Sequence, residues 1–594
     1  MDLVLCRFDT GLSEALGFNP RHLPVSCAHR VQSSAMTMQT TKITAGPLPL
    51  LCILALALAL RLWGITWGLP SATHYFSYHP DESVMLETSS VTMNVFAGHL
   101  LPHFYNYGSL QLYLVCFANT LAALFGAVDI VPKNFDVWYP QWGKMYLIGR
   151  LLTVGMGVGT VWATYAVGAT LWGRRAGLFA ALILAITPLH AQHSHFLTVD
   201  VPATFWVMLS LLWSAKLATD APKPLKAAIL AGLFAGLAAA TKYNMALVLL
   251  PALAACYLNS SPSRFGRVGA CAGVGLLAFF AGCPGSLLEA GSLSQNGTFL
   301  HDVHFEAVHV QNVNDPTFRN TGIGFLYHIT HNLDAGLGLP LLVLALASIG
   351  YALYRSERGD GLLAAFALPY YILISLAAVR YARYVIPLLP ILALWTGRFL
   401  ADISRISERV ERRVAVSVAG LFVLATLACA MSLLSGMTGI DTRDQALNWL
   451  NTNKTASVGF AVQPWFGTAP VSPYFTLPRP GGWQKAMPPE IKQRIVYSGT
   501  DWDINALKAQ KPEVVVLSEY DYDDALRLRD PAAMAYIAEL RRDYPAFIEF
   551  PGEYSHMPAH VAPLPSKGLP HDMTYPSPQI VICVRADKRK TFNQ

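Results

Sequence analysis

Asp81 and Glu82 stand side by side in the run FSYHPDESVMLE, with His79 two residues before Asp81 and Glu87 closing the run. No lysine or arginine occurs between Arg61 and Lys133, so these acids have no basic neighbour along the chain. A carboxylate at an apolar boundary can hold a raised pKa and act as a general base. The same residues suit a helix start, with Pro80 in the first turn and acids where the helix dipole favours them. The two readings are compatible.

A second constellation is PLHAQHSHFLTVDVP, residues 188–202, where His190, His193 and His195 precede Asp200. A lone Asp at a helix start is a cap. Beside three histidines it leaves a divalent metal open, although this spacing on an irregular loop is a weak ligand pattern. The third constellation is cationic: Lys242 in AAATKYN, and Arg380 and Arg383 in VRYARY. Arginine grips a phosphate through two parallel hydrogen bonds and lysine binds it as a point charge. Snorkelling toward lipid headgroups explains the same cations without chemistry. The long connection 291–335 carries His301, His304, Glu306, His309, His328 and His331. Its length suits part of a lid, and no residue in it receives a role.

The elements that must position these residues are apolar. Of 594 residues 53% are hydrophobic and only 13% charged, against roughly 25% charged in soluble domains. Apolar runs fall near 47–69, 147–172, 176–191, 201–219, 225–241, 245–258, 268–288, 336–354, 361–379, 384–400 and 414–435. Crossing a bilayer takes about 20 such residues. Basic residues cluster at 174–175, at Lys216, Lys223 and Lys226, at Arg264 and Arg267, at Arg355 and Arg358, and over 405–413. Assigning these loops to the cytoplasm makes every run alternate, provided that the further apolar run 109–131 lies in the outer interface rather than crossing. The expectation is a polytopic α-helical membrane protein with about eleven spans plus one interfacial helix, the N-terminus inside. Residues 1–45 read as a cytoplasmic tail, in which Met36 and Met38 are alternative starts; residues 46–436 form the membrane domain. Arg61 and Arg150 sit near span boundaries with no partner evident along the chain.

From residue 437 to 594 the composition turns polar. KPEVVVLSEY (511–520) reads as a buried strand, and DQALNWLNTN (444–453) and AAMAYIAELRRDY (532–544) as amphipathic helices, together an extracytoplasmic α/β domain. Only Cys583 of the nine cysteines lies there, so no disulfide framework supports it. The net charge of +6 is small and confined to short loops, which gives no reason for nucleic-acid binding. No phosphate-binding loop or dinucleotide fingerprint occurs.

Acids and cations gathered at one outer vestibule suit transfer of a sugar from a lipid-anchored phosphate. One carboxylate takes the acceptor proton and the cations stabilise the departing phosphate. The order of HPDE (79–82), YNYGSLQLYL (105–114), LWGRRAGLFAALILAITPLHAQHSHFLTVDVPATFW (171–206), GLAAATKYNMALVLLP (236–251) and RYARYVIPLLPILAL (380–394) resembles the GT-C glycosyltransferases that use polyprenyl-phosphate sugars, the group containing protein O-mannosyltransferases and the aminoarabinose transferase of lipid A. The resemblance spans roughly 45–400. It implies Asp81 as base with Glu82 beside it, Asp200 as a second catalytic acid, and Lys242, Arg380 and Arg383 on the carrier phosphate. His79, Tyr107, His193, His195, Tyr243 and Tyr384, inside or beside the same pieces, complete the expected substrate-binding set. It further implies a GT-C fold, inversion at the anomeric centre, and a polyprenyl-phosphate sugar donor as partner. The acceptor stays open among protein, lipid and glycan. No cofactor is certain, and a divalent metal remains open. The absence of a WWD motif sets the chain apart from oligosaccharyltransferase catalytic subunits.

The alternative is a transporter or flippase of a lipid-linked substrate, which predicts charges at mid-span and a repeat between halves. A scaffold whose outer domain binds a partner is a third reading. It leaves Asp81, Asp200 and the outer cations without a purpose.

Overall fold

A computed structural model describes residues 46–130, 135–219, 221–473, 493–552 and 569–589. The tail 1–45 lies outside the described residues. Every apolar run read from the sequence carries a helix. Seven are long and apolar enough to cross a membrane: Trp138–Trp172, Asp200–Ala218, Pro224–Thr241, Arg264–Gly282, Arg358–Leu376, Ala382–Ile403 and Arg409–Ser435. The chain is thus a helical membrane protein. Leu48–Leu62, Leu110–Leu124, Tyr243–Leu258 and Leu339–Arg355 are apolar but shorter. Arg174–Ile186 has only 13 residues, about 20 Å at 1.5 Å per residue, less than the hydrocarbon thickness. It is nonetheless central, packing between the helices ending at Trp172 and Ile403, and the short helix Pro188–His193 extends it after Thr187.

Small residues let the helices approach closely. A Cβ added at Gly232 or Gly236 would fall 2.1 Å from the carbonyl oxygens of Cys271 and Gly275 respectively. Helices Pro224–Thr241 and Arg264–Gly282 therefore meet backbone to backbone, as small-xxx-small pairs allow in membranes.

Two breaks in this bundle matter for the site. After Thr241 the chain turns extended at Lys242, with φ −151° and ψ 120°, before a 3₁₀ turn Tyr243–Val248. After Leu376 it runs extended and re-enters as a 3₁₀ turn Ala382–Leu388 that continues into Leu389–Ile403. Irregular backbone at membrane depth is tolerated where it borders protein or a cavity. Helix Leu110–Leu124 buries Leu112, Val115, Cys116 and Asn119 and leaves Phe117, Leu121 and Leu124 exposed, so one flank is apolar and unpacked.

The C-terminal part forms a five-stranded sheet: β1 Val458–Phe460, β2 Ile495–Val496, β3 Val514–Ser518, β4 Ala546–Phe550 and β5 Ile580–Val584, in the order β2-β1-β3-β5-β4. β1 pairs in parallel with β2 and β3, while β5 runs antiparallel to β3 and β4. Helix Thr442–Thr452 covers one face through Ala446 and Leu450, and Pro531–Asp543 covers the other through Tyr536 and Leu540. Burial on both faces explains why β3 is apolar without alternation.

Candidate active site

Asp81 enters the site on the short helix Pro80–Glu87. His79 caps it: its Nδ1 accepts the Asp81 N–H at 3.2 Å, as Asn or Asp does at other helix starts. The His79 ring is fully buried between Phe196 and Tyr575, with centroids 4.4 Å and 4.8 Å away. Burial lowers its pKa to about 4, so the ring is neutral.

The Asp81 carboxylate lies 3.3 Å from Nη1 of Arg383. Asp200, at the first turn of Asp200–Ala218, sits 2.6 Å from Nζ of Lys242. These four residues line one cavity of about 510 Å³ together with Tyr107, Tyr243 and Tyr384. Lys242 Nζ stands 5.0 Å from the Tyr384 ring centroid, and the Arg383 guanidinium 4.1 Å from that of Tyr381. Tyr243 points its hydroxyl at the carbonyls of Tyr105 and Tyr107, at 2.9 Å and 2.8 Å, which ties the 105–107 wall to the Lys242 break. Leu373, Ile374, Ala377, Val303 and Val310 make another side of the cavity apolar.

Other expected site residues lie elsewhere. Glu82 is fully buried and does not line the cavity. Its oxygens take Nε and Nη2 of Arg150 at 2.8 Å and 2.7 Å and the Leu197 N–H at 2.6 Å. Burial opposes its ionisation, but Arg150 outweighs that and holds its pKa below the usual value. Ser77 Oγ donates to the same carboxylate, so the Glu82 oxygens are taken up by protein groups away from the cavity. Arg380 also turns away. Its Nη1 donates to Thr321 Oγ1 and the Gly322 carbonyl, at 3.1 Å and 2.8 Å, and it is not a wall of the cavity. The chain passes from extended to 3₁₀ between 380 and 383, and the two guanidiniums diverge.

His195 is locked, with Nδ1 on the Ala191 carbonyl at 2.9 Å and Nε2 on that of Trp63 at 3.0 Å. His193 is fully buried edge-on to Phe196, and neither ring nitrogen has a hydrogen-bond partner among the described residues. Neither histidine lines the cavity. Among the described residues no group of three or more His, Cys, Asp or Glu is gathered to hold a metal.

Glu306 and His309, named in the 291–335 connection without a role, also line the cavity, as do three residues not singled out from the sequence: Asn106, Asn244 and Trp465. The last belongs to the sheet domain, in the loop after β1. Its loop is fixed from below, where Phe466 packs edge-on against Tyr575 at 5.5 Å, while the indole stays 44% exposed. Asp572 lies outside the lining, and both its oxygens reach backbone N–H groups of the Arg383 turn. Nothing in the spacing of these residues marks them.

Residues 143–285 match the family model of dolichyl-phosphate-mannose-protein mannosyltransferases. The matched segment carries Asp200 and Lys242 and excludes Asp81 and Arg383. No curated protein matches the sequence. Among solved structures, the chain is similar to the oligosaccharyltransferase of Archaeoglobus fulgidus tethered to an acceptor peptide, at TM-score 0.49 and 13% identity, over 85% of this chain and 73% of that one. It is similar to ArnT from Cupriavidus metallidurans bound to undecaprenyl phosphate, at TM-score 0.44 and 14% identity, over 82% and 95%.

Proposed function

We propose that the chain is a membrane glycosyltransferase that moves a sugar from a polyprenyl-phosphate carrier to an acceptor hydroxyl or amine on the extracytoplasmic face, with inversion. The observation that carries this reading is the convergence of Asp81, Asp200, Lys242 and Arg383, from four separate segments, on one cavity with an apolar side. The family match over 143–285 supports the class of donor.

In the proposed reaction the acceptor atom attacks the anomeric carbon from the face opposite the phosphate. The new carbon–acceptor bond forms as the carbon–oxygen bond to phosphate breaks, and Asp81 takes the acceptor proton. The electron pair leaves on the carrier phosphate, whose charge grows beside Arg383 and Lys242. A donor pre-aimed at developing charge in a water-poor site is worth about 2.7–4 kcal/mol. Asp200 holds the Lys242 ammonium at 2.6 Å, which fixes where that charge stands. The sidedness rests on the basic connections at Arg174, Lys223, Arg264 and Arg405, read as cytoplasmic.

The test is incubation of the purified protein with a panel of radiolabelled polyprenyl-phosphate sugars and membrane extract as acceptor, followed by identification of the labelled product. Transfer from at least one donor with inversion is the expected result. No transfer from any of them rejects the reading.

A further inference from the structure

The turn that carries Arg383 is capped by a residue from the other end of the chain. Asp572, fully buried, accepts the N–H of Ala382 through one carboxylate oxygen at 2.9 Å and that of Arg383 through the other at 2.8 Å. These two N–H groups open the 3₁₀ turn Ala382–Leu388 and have no partner within it. A carboxylate there also meets the positive end of the turn's dipole.

The three residues that follow Asp572 are held from several sides. Gln192 Nε2 donates to the Met573 carbonyl at 2.9 Å, Tyr520 Oη meets Thr574 Oγ1 at 2.8 Å, and Arg443 Nη2 donates to the Tyr575 carbonyl at 2.8 Å. The same segment reaches the guanidinium, since Tyr575 Oη stands 3.5 Å from Arg383 Nη1. Arg383 thus has Asp81 on one side and the 572–575 segment, which leads into β5, on the other.

We infer that Asp572 is a positioning residue for Arg383, so that donor phosphate binding depends on the sheet domain being seated on the membrane bundle. This rests on the glycosyltransferase reading above. A long side chain such as arginine loses rotamer freedom on binding unless its backbone and flanks are fixed beforehand. Asp572 fixes the backbone from which the guanidinium extends, and Tyr575 fixes one flank. The sheet domain is then part of the phosphate site rather than an appendage to it.

The experiment measures donor KM, acceptor KM and kcat for Asp572→Asn in full-length protein, with melting temperature as a control for folding. The amide keeps one acceptor oxygen but turns an N–H₂ group toward the second backbone N–H and removes the charge. Donor KM is expected to rise roughly 10- to 100-fold, the loss of a hydrogen bond to a charged group, and kcat to fall as well because Arg383 also faces the charge that grows on the leaving phosphate, with acceptor KM close to wild type. Ala382→Pro makes the same point without touching Asp572. Tyr381 before it has φ −58° and ψ 149°, which a following proline accepts, and proline suits the first position of a helical turn. It should raise donor KM by a smaller factor. A folded Asp572→Asn or Ala382→Pro enzyme with unaltered donor KM, or one that loses kcat and leaves donor KM in place, overturns the inference while wild-type transfer upholds the reading beneath it. A wild type that transfers no polyprenyl-phosphate sugar overturns both.

Discussion

Asp81 and Glu82 are chain neighbours, each meeting an arginine, yet their surroundings differ in kind. Glu82 and Arg150 form a sealed pair, both fully buried, with the remaining donors of Arg150 on the carbonyls of Ile65 and Trp67 and on Ser77 Oγ. Asp81 and Arg383 meet at a longer 3.3 Å, with the Asp81 side chain 29% exposed and both residues on the cavity wall. One residue step along a helix, about 100° of rotation, is enough to divide a sealed carboxylate from an available one. Pairing with arginine does not mark function; what separates the two is whether a lone pair and space for a substrate remain.

The largest expected effect breaks the comparison on the side of Asp81. Asp81→Asn should lower kcat by about 10²- to 10⁴-fold, the usual worth of a general base, with membrane yield and melting temperature near wild type. Full activity in that variant removes Asp81 as the base. Glu82→Gln should do the opposite. It strands the buried Arg150 charge, a loss of roughly 3–5 kcal/mol, read as a lower melting temperature and yield, while the fraction that folds keeps its donor KM.

The cations sharpen the contrast further. Arg383→Ala should raise donor KM roughly 10- to 100-fold, as loss of hydrogen bonds to a charged ligand does. Arg380→Ala, whose partners are Thr321 and Gly322, should leave donor KM close to wild type. Equal effects from both variants would mean that the walls of the cavity have been drawn incorrectly.

His79 gives a test in pH. Its folded pKa is lowered to about 4 by burial, against about 6.5 in an unfolded chain. The unfolded state therefore binds more protons between these values. The contribution of His79 to stability is complete above pH 6.5 and is lost as pH falls toward 4. His79→Asn keeps an acceptor for the Asp81 N–H and should flatten that part of the melting profile. The smallest effect belongs to the cavity mouth, where Trp465→Ala should weaken substrate affinity by a few-fold, consistent with about 1 kcal/mol for an aromatic contact.

Charge in an apolar setting is what made the site legible. Lys242 and Arg383 break the scarcity of cations expected in connections read as outer, Asp81 and Asp200 are acids beside apolar runs, and all four line the same cavity. Arg380 breaks the same pattern and points elsewhere, because composition carries no information about a change from extended to 3₁₀ backbone. Arg61 and Arg150 were left unexplained along the chain because most of their partners are carbonyls and side chains of distant segments. Arg61 reaches the Ala57 and Ala185 carbonyls at 3.0 Å and 3.1 Å and His190 Nδ1 at 2.8 Å. The helices were legible from the length and spacing of the apolar runs, and β3 and its flanking helices from periodicity. Asp572 and Trp465 were not, since a polar stretch has many such residues and only the tertiary fold brings them to the bundle.

The contact between Asp81 and Arg383 has one further consequence. With nothing bound, the acid and the cation neutralise each other, so the resting site is quiet. On the proposed reading, a phosphate that binds Arg383 competes with Asp81 for the same guanidinium. On that reading the carboxylate is freed in step with donor binding rather than before it.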